Sequence, residues 1–263
     1  MTSAFLRDTA VERVGDGSYR GHVSAGWFTP RGANGGFLAA IVLRAIMACE
    51  HDKARAPRSL TLHYLRPPAE GEVGVVVTEE RRGRQLTTYS ARMEQDGRVC
   101  ILALAALSHD FPSSLDYRAT MPDVPPPTEL KPRDDERLPP IAHQMATQGA
   151  IGYAPFSGGE EALTGGWIAF AGDEPSPLDA PALALLSDAW LPSMFVLVQD
   201  FIGVPTIDLT IHFRARTDGR TGPALAMFRS RTSAEGFFEE DGELWSEDGT
   251  LLAQSRQLAL MLG

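Results

Sequence analysis

With 263 residues, 43% of them hydrophobic, the chain can bury a packed core as one large domain or two small ones. A formal net charge of −10 and a pI near 5.1 exclude a protein that grips nucleic acid or an anionic membrane through a general basic field, so any phosphate must be met by a local cluster. Two cysteines, Cys49 and Cys100, each in an apolar stretch, fit small core residues in a reduced setting and no disulfide framework.

The N-terminal stretch MTSAFLRDTAVERV has no apolar run after a basic start, and no run of about 18 apolar residues follows. The sequence therefore predicts neither export nor membrane insertion, and a cytoplasmic location. Asn34-Gly35-Gly36 introduces an apolar helix over 35–50, followed by strand-type runs at 58–66, 72–80, 85–95 and 98–109. Residues 112–140 are Pro-rich and polar without either periodicity, and are read as the connection between domains 1–111 and 141–263. The second domain repeats the order, with a helix at 180–191 and strands at 206–216, 223–233, 236–246 and 250–262.

The halves also match in residues. Leu60-Thr61-Leu62-His63-Tyr64 corresponds to Leu209-Thr210-Ile211-His212-Phe213 at an offset of 209 − 60 = 149. The turn Asp96-Gly97 corresponds to Asp248-Gly249 at 248 − 96 = 152, and two nearly equal offsets point to a duplication. One long helix followed by strands joined through short turns is an α+β arrangement, because such strands pair antiparallel. The layout is that of a tandem (double) hotdog, two antiparallel sheets each wrapping a long helix.

No G-x-S-x-G, H-E-x-x-H, G-x-x-x-x-G-K-[ST] or strand-linked G-x-G-x-x-G occurs, so serine-hydrolase, zincin, P-loop and dinucleotide chemistry lack their signatures. The six His are dispersed and offer no metal-ligand spacing. The sequence calls for no metal and no cofactor.

Three polar residues stand out. Asp188, in the second helix, shares a face with Ala184, Leu185 and Leu191. A carboxylate there is costly unless paired or working, or unless the helix turns it to water before Pro192. Thr206 opens a strand in which it alternates with Asp208, Thr210 and His212 on the polar face, where β-propensity alone accounts for a Thr. Gln257 shares a strand face with Ala253, Ala259 and Met261, and needs a partner if buried or else faces solvent. Gly35 and Gly36 offer backbone N–H groups at the positive end of a helix, suited to a developing oxyanion, or simply let the helix pack closely. Arg81-Arg82-Gly83-Arg84 is the local basic cluster, either a phosphate contact or a solvated hairpin turn.

The segments LLSDAWLP, PTIDLTIHFR and LLAQSRQLALM resemble the corresponding stretches of the acyl-CoA thioesterase II family, and His63-Tyr64-Leu65-Arg66-Pro67 is similar to its aromatic-Leu-Arg-Pro strand end. The resemblance implies a double-hotdog enzyme that hydrolyses acyl-CoA to free acid and CoA through a water oriented by Asp188, Thr206 and Gln257. It implies further that Gly36 lies opposite Asp188. Arg81, Arg82 and Arg84, as the local basic cluster, are the candidate contacts for the CoA phosphates. Under the offsets, Gln257 corresponds to Ala106, Asp188 to about Ala39 and Thr206 to about Pro57, so one site per chain is expected. The expected partner is acyl-CoA, with neither nucleic acid nor membrane, and a homodimer of double hotdogs stays open. Two alternatives remain: a hotdog-type enoyl-CoA hydratase or dehydratase with His63 or His212 as base, and a non-catalytic acyl-CoA binding module.

Overall fold

The computed structural model describes residues 3–128, 130–132, 136–172 and 177–262. In chain order the first half holds α1 (Ala4–Asp8), β1 (Glu12–Gly15), β2 (Ser18–Val23), α2 (Gly35–Cys49), β3 (Ala56–Tyr64), β4 (Gly71–Arg82), β5 (Leu86–Gln95) and β6 (Arg98–Ser108). The second holds α3 (Pro140–His143), β7 (Met145–Gly152), β8 (Leu163–Phe170), α4 (Ala180–Leu186), β9 (Thr206–Phe213), β10 (Ala224–Arg229), β11 (Phe237–Ser246) and β12 (Leu251–Leu260). Among the described residues no helix is long and apolar enough to cross a membrane.

The sequence from Phe37 to Ile46 is apolar at every position but Arg44, and a helix apolar all round must be enclosed. Accordingly α2 packs on β2, β3, β4 and β5 on one side and on α4 on the other. Its start is fixed by Asn34, whose Oδ1 accepts from the Phe37 N–H at 2.9 Å.

The strands form one antiparallel sheet, ordered β1-β2-β4-β5-β6-β3-β9-β12-β11-β10-β8-β7. Each strand of the second half occupies the place of the strand six earlier, reflected about the β3–β9 seam. At that seam Thr61 is paired with Thr210, Leu62 with Leu209 and Leu60 with Ile211, and the two threonine Oγ1 atoms lie 3.1 Å apart. Thr61 and Thr210 are themselves related by the 149-residue offset, so a pseudo-two-fold axis passes between them. The duplication read in the sequence is thus the symmetry of the sheet. Register corrects one correspondence: Gln257 pairs with Leu209, and Ala105, not Ala106, pairs with the equivalent Leu60.

A second correction concerns α4, expected over 180–191. It is capped by Asp179, which accepts from the Ala182 N–H at 2.9 Å, and it stops at Leu186 with Ser187 as C-cap. Pro192 disfavours helical geometry in the residue before it, and Asp188 is drawn onto the start of α2 instead. Between the halves, Met121, Val124 and Leu130 pack on Trp167, Leu225 and Trp245, and Trp167 Nε1 donates to the Pro125 carbonyl at 2.9 Å. Part of the 112–140 stretch therefore covers the sheet face opposite the main core of the second half.

Candidate active site

The two glycines decide how closely α2 and the end of α4 approach. A Cβ on Gly36 would lie 2.5 Å from the Leu185 carbonyl oxygen and 3.0 Å from the Asp188 Cβ. One on Gly35 would lie 2.9 Å from Asp188 Oδ2. With no Cβ at either place, the Asp188 carboxylate sits directly on the positive end of α2. Its Oδ2 accepts from the Gly36 N–H at 2.9 Å and from Asn34 Nδ2 at 3.0 Å, and Asn34 Nδ2 also donates to the Asp188 carbonyl at 2.8 Å. The Gly35 N–H faces the same carboxylate. These N–H groups, expected to be free for an oxyanion, are engaged by Asp188, because the helix end stabilises whichever anion is closest.

Asp188 is half-buried as a residue, yet its carboxylate has little water around it. Burial pushes its pKa up to about 7 and the charge of Glu240 adds to the rise, against the lowering effect of the Gly36, Gly35 and Asn34 donors. Tyr64 closes the other side, donating from its hydroxyl to the Gly35 carbonyl at 2.9 Å. Burial, and then the charge of Asp188, hold the Tyr64 phenol well above its ordinary pKa, so it stays protonated.

Thr206 was expected on the polar face with Asp208, Thr210 and His212. A register shift between Thr206 and Asp208 sets Thr206 opposite the inward Ala259, and its side chain meets Gln257. One extra residue in a strand reverses every side chain before it, which is how bulges re-aim groups beside sites. Thr206 Oγ1 donates to Gln257 Oε1 at 3.0 Å, and Gln257 Nε2 donates to Glu240 Oε1 at 2.8 Å. Glu240 Oε2 in turn accepts from the Ser193 N–H at 2.5 Å. Gln257 and Glu240 are 6% and 4% exposed, so the links from Gln257 to Glu240 and from Glu240 to Ser193 are shielded from water, while half-buried Thr206 faces the cavity.

Asn34, Gly35, Tyr64, Asp188, Thr206 and Gln257 all line one cavity of about 430 Å³, whose remaining wall is mostly apolar. Arg81, Arg82 and Arg84 do not line it. Arg82 instead pairs with Glu50 at 3.0 Å and with Glu79 at 2.6 Å, next to the C-terminal end of α2. A helix of 15 residues puts that end about 20 Å from the Asp188 carboxylate. The arginines at the cavity are Arg31 and Arg66, and neither forms an ion pair among the described residues. His63 and His212 are both exposed, and neither lines this cavity.

Sequence reasoning missed Asn34 as a ligand of Asp188, Glu240 as the partner of Gln257, and Arg31 with Arg66. The signal for Glu240 is present: Phe238, Glu240, Gly242 and Leu244 alternate with exposed or half-buried neighbours along β11, and all four are buried.

Residues 23–108 match the family model described as the acyl-CoA thioesterase N-terminal domain, and residues 118–261 match the acyl-CoA thioesterase C-terminal domain. The chain belongs to the acyl-CoA thioesterase family. Among solved structures it is similar to a hotdog-fold protein of unknown function from Alicyclobacillus acidocaldarius, with 29% identity, a TM-score of 0.90, and coverage of 100% of this chain and 99% of that one. It is also similar to a protein described as a candidate thioesterase II from Thermobifida fusca YX, with 26% identity, a TM-score of 0.86, and coverage of 99% and 98%. An acyl-CoA thioesterase II from Mycobacterium marinum shares the fold at 22% identity and a TM-score of 0.77 over 98% of each chain. No curated protein matches. The thioesterase is a thioester hydrolase of the tandem hotdog fold.

Proposed function

We propose that this thioesterase hydrolyses acyl-CoA with a water held between Asp188 and Thr206, in one site per chain, with Gln257 fixing the Thr206 hydroxyl. The observation that carries the reading is the convergence of these three side chains, from three separate segments, on one cavity. The water donates one hydrogen to the Asp188 carboxylate and the other to Thr206 Oγ1, whose own proton is committed to Gln257. A lone pair is then free to attack the thioester carbon. As the C–O bond forms, Asp188 takes the proton; as the C–S bond breaks, the leaving thiolate recovers it. A base whose pKa is about 7 is suited to both transfers at neutral pH.

The acyl chain runs along the apolar wall past Leu38, Ile141 and Phe195, and Arg31 and Arg66 receive phosphate groups of CoA at the rim. The division into 1–111, 112–140 and 141–263 is inferred from the sheet order and from the segment laid over Trp167.

The test is free-thiol release from a panel of acyl-CoAds of increasing chain length, repeated for Thr206→Val, Asp188→Asn and the double variant. Residues acting on one water are strongly non-additive, so Thr206→Val is expected to be slow alone and to add little to Asp188→Asn. Fully additive losses would refute the shared water, and thiol release from no acyl-CoA would leave a binding module.

A further inference from the structure

Glu240 is a buried carboxylate that the hydrolytic step does not touch, 4% exposed and on a strand otherwise facing inward with Phe238 and Leu244. Burying a carboxylate without a cationic partner is costly. Its oxygens are instead met by two N–H donors, Gln257 Nε2 at 2.8 Å and the Ser193 backbone at 2.5 Å. A side-chain amide can be turned over with little change in shape, and only its partners decide which end is the oxygen. Burial raises the Glu240 pKa, against the lowering effect of the Ser193 and Gln257 donors, and in its ionised form the carboxylate can only accept. Facing Glu240, Gln257 must therefore present its nitrogen there and its oxygen to Thr206, and the Thr206 hydroxyl must then point its proton at Gln257. What Thr206 turns toward the cavity is a lone pair.

We infer that Glu240 is a positioning residue that sets the direction of the Thr206–Gln257 hydrogen bonds, so that Thr206 accepts from the hydrolytic water and does not donate to it. The inference rests on the water mechanism proposed above. Were the chain reversed, Gln257 Nε2 would donate to Thr206, and the threonine proton would be aimed at the lone pair that has to attack the thioester. Donor direction, rather than the mere presence of three polar groups, is what Glu240 supplies.

The residues themselves give a test that separates direction from packing. In Glu240→Gln the Ser193 N–H claims the new amide oxygen, which leaves a nitrogen facing Gln257 and forces Gln257 to turn over. Gln257→Glu sets two carboxylates against each other. Combining them restores the original direction: Gln at 240 accepts from Ser193 and donates to Glu at 257, which accepts from Thr206. The expected result is a kcat lowered roughly 100-fold in each single variant with KM within about threefold, and a recovery of at least roughly tenfold in the swapped double variant. Two losses that multiply in the double variant, or wild-type kcat in Glu240→Gln, would overturn the inference. Should a single variant fail to fold, NMR of the wild-type protein keeps it testable. The Gln257 side-chain amide is expected to show one downfield, slowly exchanging proton, and two freely exchanging protons would overturn it. That measurement needs no turnover, so failure of the thioesterase mechanism, seen as a wild-type protein that releases no thiol, is distinguishable from failure of the role given to Glu240.

Discussion

Adding a single methyl group at Gly36 tests whether the contact between α2 and α4 sets the catalytic geometry. In Gly36→Ala the new Cβ would meet the Leu185 oxygen at 2.5 Å, the Ala184 oxygen at 3.0 Å and the Asp188 Cβ at 3.0 Å. Two of these neighbours are backbone of the helix end, so the methyl cannot be accommodated by a side-chain rotation. Overpacking of this kind costs about 1–3 kcal/mol, and the better helix propensity of alanine returns at most about 1 kcal/mol. For a chain of this size that is a Tm lower by roughly 2–6 °C. The larger effect is on rate. Moving α4 away lengthens the 2.9 Å bond from the Gly36 N–H to Asp188 and displaces the carboxylate, and a displacement of about 1 Å at a reacting group costs on the order of 100-fold. Losing that donor also raises the Asp188 pKa further, because the Gly36 N–H is the strongest of the groups that lower it. The acid limb of the kcat profile is expected to move above 7. Thermal melting by circular dichroism and thiol release across pH measure both effects. A folded Gly36→Ala enzyme with wild-type kcat and an unmoved acid limb would refute the reasoning.

Four further outcomes follow from the same geometry. kcat/KM of the wild-type enzyme should rise with pH to a midpoint near 7, because the base must be ionised and its pKa is pushed up to about 7 by burial. The same shift has a stability sign: between the ordinary value of 3.8 and about 7 the folded state keeps a proton that the unfolded chain has lost. Stability from this group is therefore full below about pH 4 and lost as pH rises through 7, by at most about 4 kcal/mol and nearer 2 kcal/mol after solvent screening. Comparing the melting of wild type and Asp188→Asn at pH 5 and pH 8 isolates it, with the variant gaining relative stability at the higher pH. Arg82→Ala should lower stability by about 1–3 kcal/mol, because it strips a partner from the buried Glu50, and should leave the KM for acyl-CoA unchanged. Arg31→Ala and Arg66→Ala should instead raise KM several-fold, and a reversal of the two patterns in steady-state kinetics would return the phosphates to the β4–β5 turn.

What could be read from the sequence follows from how local each signal is. The helix at Gly35–Cys49 and the strands β3–β6 and β9–β12 are periodic and bounded by turn residues, and their repetition gave the tandem fold. The hairpin β7–β8 was not legible, since Gly149, Gly152, Gly165 and Gly166 erase strand propensity there. In the structure those glycines admit close crossings, for a Cβ on Gly166 would lie 2.0 Å from the Gln148 oxygen. The segments that bring Asp188, Thr206 and Gln257 to one cavity are legible in the sequence, but the orientations of the three side chains are not. The end of α4 at Leu186 and the bulge after Thr206 are decided by partners more than 50 residues away, Asn34 and Gln257. Glu240 was hidden in the acidic run Glu239-Glu240-Asp241, which reads as solvated charge until the inward alternation with Phe238 and Leu244 is seen. The Arg81–Arg84 cluster lies away from the cavity, because charge density in sequence does not say where a turn sits relative to a site, and its Arg82 is already paired with Glu50 and Glu79.

The proposed mechanism makes Asp188 the group that takes the proton from water. The most direct measurement is kcat and KM for Asp188→Asn on the best acyl-CoA substrate, with folding confirmed by circular dichroism. The amide can still accept from the Gly36 N–H, so KM should hold while kcat falls by roughly two to four orders of magnitude. A folded Asp188→Asn protein that turns over within tenfold of wild type would contradict it.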